Sequence, residues 1–320
     1  MSVSITGGIL FSGGVGITAA PPSEATAGWF GGGYASGGNR RSSVQRITYA
    51  TDTNTASDRG PLSSARDGLA GAGTPNNGWF GGGYAPAGGG LTSRIDRITY
   101  ATDTATASVR GPLSLSRDLL AAFSDNTSYG WFAGGPAIST TSRIDRITYV
   151  TDTETAGIRG PMSSPLAYVT ATGNDTYGWI GGGAPPTVST VQRITYATDT
   201  ATASIRGPLS LARYSATGTG NSSYGWFAGA GGVPAGSGSL IDRIDYANDT
   251  ATASVRGPLT SSKYSMGATS NNTDGWFAGG QTPTTSVVNR ITFATDTNTA
   301  SIRGPLNEIR RNMGAAAGIQ

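Results

Sequence analysis

Six tryptophans, Trp29, Trp79, Trp131, Trp179, Trp226 and Trp276, punctuate the chain at intervals of about 50 residues, and there are no others. Each opens the same phrase: Gly-Trp-(Phe/Ile), a glycine-rich stretch, Arg-Ile-(Thr/Asp)-(Tyr/Phe), an Asp-Thr turn, then Arg-Gly-Pro. Repeats of this length built from short strands form a β-propeller, one blade per repeat. The phrase therefore constrains the whole chain to one closed body, although 320 residues alone would suggest two domains. Function has to be sought where the copies differ.

Composition fits a turn-rich all-β protein. Charged residues make up 13% of the chain and glycine accounts for 50 positions, a mix that would resemble disorder without the fixed aromatic positions. Of the 22 basic residues only Lys263 is a lysine, and most arginines recur beside recurring aspartates. The pI of about 9.2 therefore does not predict a nucleic-acid surface. The absence of cysteine and histidine removes disulfides, thiolate nucleophiles and the commonest general base and metal ligand. No cofactor or metal site is expected. The first residues lack a basic n-region and a long apolar core, so neither a secretory leader nor a membrane segment is expected.

Within one repeat, Asp67 to Thr74 reads as strand A, nearest the axis, where converging strands leave room for Gly and Ala. The equivalent in the fifth repeat is Tyr214–Thr217. Gly78–Gly83 reads as strand B and Arg94–Tyr100 as strand C, whose two faces both carry large side chains, as in a sheet covered on both sides. Thr102-Asp103-Thr104 turns the chain, with the carboxylate suited to accept backbone N–H bonds. Ala105–Val109 reads as the outer strand D, and Arg110-Gly111-Pro112 ends the blade.

This order resembles the kelch repeat. The matching pieces are Phe132-Ala133-Gly134-Gly135, then Tyr149 with Asp152-Thr153, then Pro161 and a basic link residue. That residue appears as Arg66, Arg117, Arg213, Lys263 and Arg310, and as Leu166 in one copy. The resemblance covers residues 28–320 and implies a six-bladed β-propeller of four-stranded kelch-like blades. The wording ITYATDTATAS…RGPLS is also similar to kelch-like repeat proteins encoded by marine phages, cyanophages among them. That similarity implies a virion component, in a tail or fibre, with an adhesive or structural role. A carbohydrate-binding propeller is the alternative.

Counting strands leaves one A strand to be supplied by the C-terminus, residues 311–318, pairing with Gly28–Gly33 to close the first blade. Residues 1–27 then form an arm outside the repeat. Its apolar residues Ile5, Ile9, Leu10, Phe11 and Val15 have no blade position to fill and suit docking on other virion proteins, or on the arm's own ring.

Two arginine series, one on strand C (Arg46 to Arg290) and one before Gly-Pro (Arg59 to Arg303), match the aspartates of the turns. A catalytic group is needed once rather than in every copy, so these are expected to form side chain–backbone or ion-pair ties within and between blades. No unique carboxylate pair, P-loop or histidine-bearing site supports an enzyme. The unrepeated B–C loops are the expected recognition surface, where a host glycan or receptor would bind, with Tyr34, Tyr84 and the basic pair Arg40-Arg41 as candidates.

Overall fold

The computed structural model describes residues 25–317. The arm residues Ile5, Ile9, Leu10, Phe11 and Val15 lie outside the described residues. Six four-stranded antiparallel sheets form the blades of a propeller. Ala27, inside the range assigned to the arm, already belongs to strand B of blade 1. The first blade takes its inner strand from the C-terminus, with Gly28 opposite Ala317, Trp29 opposite Ala316 and Gly31 opposite Gly314. Ring closure thus follows the strand count. No helix among the described residues is long and apolar enough to cross a membrane.

Blade 2 shows the common plan. Its strands are Ala70–Gly73 (A), Asn77–Gly81 (B), Ile95–Thr99 (C) and Ser108–Arg110 (D). One row across it reads Ala72, Trp79, Arg97, Ser108. Strand A is shorter than the sequence suggested because Gly68 adopts a left-handed φ of +69° and turns the chain before the ladder begins. In blade 5 the same turn falls at Ser215, so strand A is Thr217–Gly220 and not Tyr214–Thr217. Strand D also starts later than expected. Ala107 donates its N–H to Pro61 of the preceding blade, which leaves Ser108–Arg110 for the ladder.

The repeated phrase is a blade-to-blade joint. Trp29 Nε1 donates to Asp103 Oδ2 of the next blade at 2.8 Å, and the series continues around the ring until Trp276 donates to Asp52. Arg46 Nη1 reaches the same oxygen at 3.1 Å, and Arg59 Nε lies 3.3 Å from it. One buried carboxylate therefore holds an indole and two guanidiniums of the preceding blade. The expectation that this carboxylate would cap its own turn is corrected: its partners are side chains across the joint. The Trp ring also stacks on the next blade's aromatic, Trp29 on Tyr100 with centroids 3.7 Å apart and Trp226 on Phe293 at 3.9 Å. Gly111 completes the joint, because a Cβ there would stand 1.9 Å from the Glu154 carbonyl oxygen of the next blade. The hydrophobic clusters span joints as well: Phe80 of blade 2 packs with Trp29, Val44 and Leu62 of blade 1.

A second buried layer lies within each blade. Arg66 pairs with Asp96, Arg117 with Asp145 and Arg213 with Asp242, all fully buried. Where Leu166 replaces the arginine, the facing residue is Gln192, which accepts the Ser163 N–H just as Asp96 accepts that of Ser63. Where Lys263 replaces it, the facing residue is Asn289, whose Oδ1 lies 3.4 Å from Nζ. Burial without a carboxylate lowers the Lys263 pKa to about 8.

Three outcomes follow for stability. Asp199→Ala strands Trp131 Nε1, Arg146 and Arg159 together and is expected to cost about 2–4 kcal/mol in chemical denaturation. Between pH 8 and the ordinary lysine value of about 10.4, the unfolded chain holds the Lys263 proton and the folded chain does not. Stability therefore rises through that window, and Lys263→Leu combined with Asn289→Gln, which copies blade 4, should abolish the rise. Burial pushes the hydroxyls of Tyr49, Tyr100, Tyr149, Tyr196 and Tyr246 up. Unfolded tyrosines ionise near pH 10, so folding stability should fall as pH climbs above about 10, with tyrosinate absorbance appearing together with unfolding.

Candidate functional site: an axial funnel

Strand A begins opposite the end of strand B, as Ala70 opposite Gly81 shows, so the links into strand A and the B–C loops share one face. On that face the axis opens into a funnel of about 370 Å³, lined by Asp67, Asp118, Tyr168, Tyr214, Tyr264 and Arg311 among others. Leu69, Leu120, Val169, Met266 and Met313 form the throat below it. Beyond the throat runs a cavity of about 160 Å³ lined largely by Gly, Ala, Ser and Thr of the A strands.

The rim is a closed circle of backbone hydrogen bonds. Gly68 N–H donates to Asn312, Leu119 to Gly68, Tyr168 to Leu119, Ser215 to Tyr168, Ser265 to Ser215 and Asn312 to Ser265, at 2.7–2.9 Å. To make this circle every member adopts positive φ, from +49° at Leu119 to +69° at Gly68. Glycine would sit there without strain, yet only one blade uses it. Leu119 and Tyr168 are bulky residues in a conformation that L-residues disfavour. Strain of this kind concentrates at sites where a side chain is needed.

Going round the ring, the residue before each rim position reads Arg311, Asp67, Asp118, Ala167, Tyr214, Tyr264. One half of the funnel is charged and the other aromatic. Tyr168 and Tyr214 meet at 5.6 Å between centroids with their planes tilted. The Tyr214 ring lies over Gly231 and Gly232, where a Cβ at either position would approach it within 2.7 Å. On the charged side, Asp67 Oδ1 accepts from Arg40 Nε at 2.6 Å and Oδ2 accepts from Asn312 Nδ2 at 3.3 Å. Arg311 stacks over Tyr34 at 4.7 Å and donates to Gln281 Oε1. Asp118 forms no ion pair among the described residues. Burial, reinforced by the neighbouring Asp67 charge, raises its pKa to about 6.

Three of the four loop residues singled out from the sequence come together beside this wall. The Arg40 guanidinium lies 4.5 Å from the Tyr84 ring centre and 5.4 Å from that of Tyr34, with Asp67 as its counter-ion. Arg41 turns instead to Glu308. Tyr129, Tyr177 and Tyr224, on the opposite face, pack beside Trp131, Trp179 and Trp226 under Arg146, Arg193 and Arg243. Sequence reasoning missed Asp118, Tyr168, Tyr214, Tyr264 and Arg311 as a group. The available signal was the disagreement among the repeats just after the basic link residue, a stretch read as the start of strand A.

No protein-family model matches the chain, and a search of curated proteins finds no match.

A carboxylate held protonated-prone in the fold destabilises the fold at neutral pH. Asp118 has a folded pKa above its ordinary value of 3.8, so its favourable contribution is full below that value and is lost as pH rises through 6. Asp118→Asn should therefore raise stability at pH 7 and flatten the pH dependence between 4 and 7, read from denaturant midpoints.

Proposed function

We propose that this chain is a non-catalytic adhesive propeller of the kelch-like kind, a phage tail or fibre component that meets a host surface through the funnel face. The observation that carries the reading is the contrast between joint and rim. Every blade repeats the Trp–Asp–Arg joint, from Trp29–Asp103 round to Trp276–Asp52, whereas the residues facing the axis at the funnel differ in kind from blade to blade. A rigid scaffold presenting unrepeated side chains in a concave site is the arrangement expected of a recognition module. The funnel offers aromatic rings, amides and a spare carboxylate but no nucleophile–base pair, which favours binding over chemistry.

The virion setting rests on the similarity of the ITYATDTATAS…RGPLS wording to marine phage repeat proteins, and residues 1–27 are the segment proposed to attach to other virion proteins. The aromatic half of the funnel also favours a second reading, a free carbohydrate-binding propeller using the same face.

Two measurements separate these readings. Particles carrying the full chain should retain it through density-gradient purification, and particles made with residues 1–27 deleted should not. The purified propeller should bind host cells, and Tyr168→Ala with Tyr214→Ala should lower binding at least tenfold with unchanged melting. Full cell binding by that double variant would remove the funnel from the adhesive role.

A further inference from the structure

The funnel's chemistry narrows its ligand, and this step rests on the adhesive reading above. We propose that the funnel receives the terminal neutral sugar ring of a surface polysaccharide, with Tyr168 and Tyr214 against its C–H face and Asp118 accepting hydrogen bonds from neighbouring hydroxyls.

The observations are independent of one another. The cavity volume, about 370 Å³, lies within the range of about 300–1,000 Å³ usual for small-ligand sites, and the apolar throat of Leu69, Leu120, Val169, Met266 and Met313 forms its floor. A ligand therefore enters end-on, which selects a chain terminus over a chain interior. Its walls are amphipathic in the way a pyranose is: C–H bonds cover the ring faces and hydroxyls project from the edge. The tilted Tyr168–Tyr214 pair supplies an aromatic wall, and Gly231 and Gly232 leave the space that seats the second ring.

Most of the polar half is already apportioned. Asp67 is held by Arg40 and Asn312, and Arg311 by Tyr34 and Gln281. Asp118 alone keeps its carboxylate unpaired, at a cost in stability, on the wall where a hydroxyl pair would arrive. Two guanidiniums, Arg40 and Arg311, balance the two carboxylates Asp67 and Asp118 on this wall, so it offers no net positive charge to an acidic sugar. Neutral sugars are thereby selected over uronic or sialic acids. The rim circle, whose six members all adopt left-handed backbone, holds the Leu119 and Tyr168 side chains at the funnel mouth.

The test uses the full chain on an array of neutral and acidic bacterial oligosaccharides, with each hit followed by calorimetry using the free oligosaccharide. Binding is expected to neutral terminal sugars only. Tyr214→Ala and Asp118→Ala should each weaken it at least tenfold, while Ile205→Ser, on the outer edge of blade 4, leaves it unchanged. Melting curves of the variants distinguish lost binding from lost folding, and Tyr214→Phe, which keeps the ring, should retain affinity within about threefold. Preference for acidic sugars, or sugar binding indifferent to both alanine variants, would overturn the assignment. So would the absence of binding to every member at millimolar concentration. Host-cell binding by the wild type in that last case would keep the adhesive reading and point to a protein receptor; loss of cell binding as well would remove both.

Discussion

Everything in this molecule depends on one carboxylate per blade. Asp52, Asp103, Asp152, Asp199, Asp249 and Asp296 each sit under the indole N–H and two guanidiniums of the preceding blade. A neutral acceptor could satisfy the indole, but it would leave two guanidiniums of one blade side by side and uncompensated at a joint that is largely closed to water. A single negative charge also sets the direction of the side-chain contacts, because the indole and guanidiniums of each blade reach the carboxylate of the next, while the main chain returns one bond, as from Ala107 N–H to Pro61. The joint is therefore polar along the ring, and six such joints close only when the C-terminal strand has completed blade 1.

Within the blades, the chain repeats one structural problem with several solutions. The pocket between strand C and the link carries Arg with Asp in blades 2, 3 and 5, Leu with Gln in blade 4, and Lys with Asn in blade 6. Charge and countercharge leave together in blade 4, which spares that blade a stranded ion. Blade 6 keeps its cation and gives it an amide, and the lowered Lys263 pKa records the cost. Buried ion pairs here are exchangeable parts of the core, and their presence alone says little about stability.

The fold was legible because its information is local and repeated. Trp79 fixes strand B, Arg97 and Ile98 fix strand C, and Gly111-Pro112 marks the exit, and each is restated in the other copies. The direction of the joint was not legible. Nothing in the spacing says that Asp103 answers to Trp29 of the blade before it, since the pairing exists only once the blades are side by side. The funnel was hidden for a related reason. Tyr214 stands in a stretch that reads as strand, and only the left-handed turn one residue later lifts it out of the ladder. That turn has no single-residue signature, because Gly, Leu, Tyr, Ser and Asn all adopt it here. Tyr34, Tyr84 and Arg40 were visible as loop outliers, but their mutual packing with Asp67 makes them the buttress of the wall.

The rim circle is made of main chain alone, and this has a consequence for how such a protein can change. Its six members exchange N–H and C=O groups without asking anything of their side chains, so the frame is indifferent to what it carries. A ring assembled from identical subunits would have to show the same residue six times around the axis. A single chain with six separately encoded repeats can write a different letter at each station. The side chains at the funnel can then change by substitution at a few codons while the closed frame, and the joints beneath it, stay as they are.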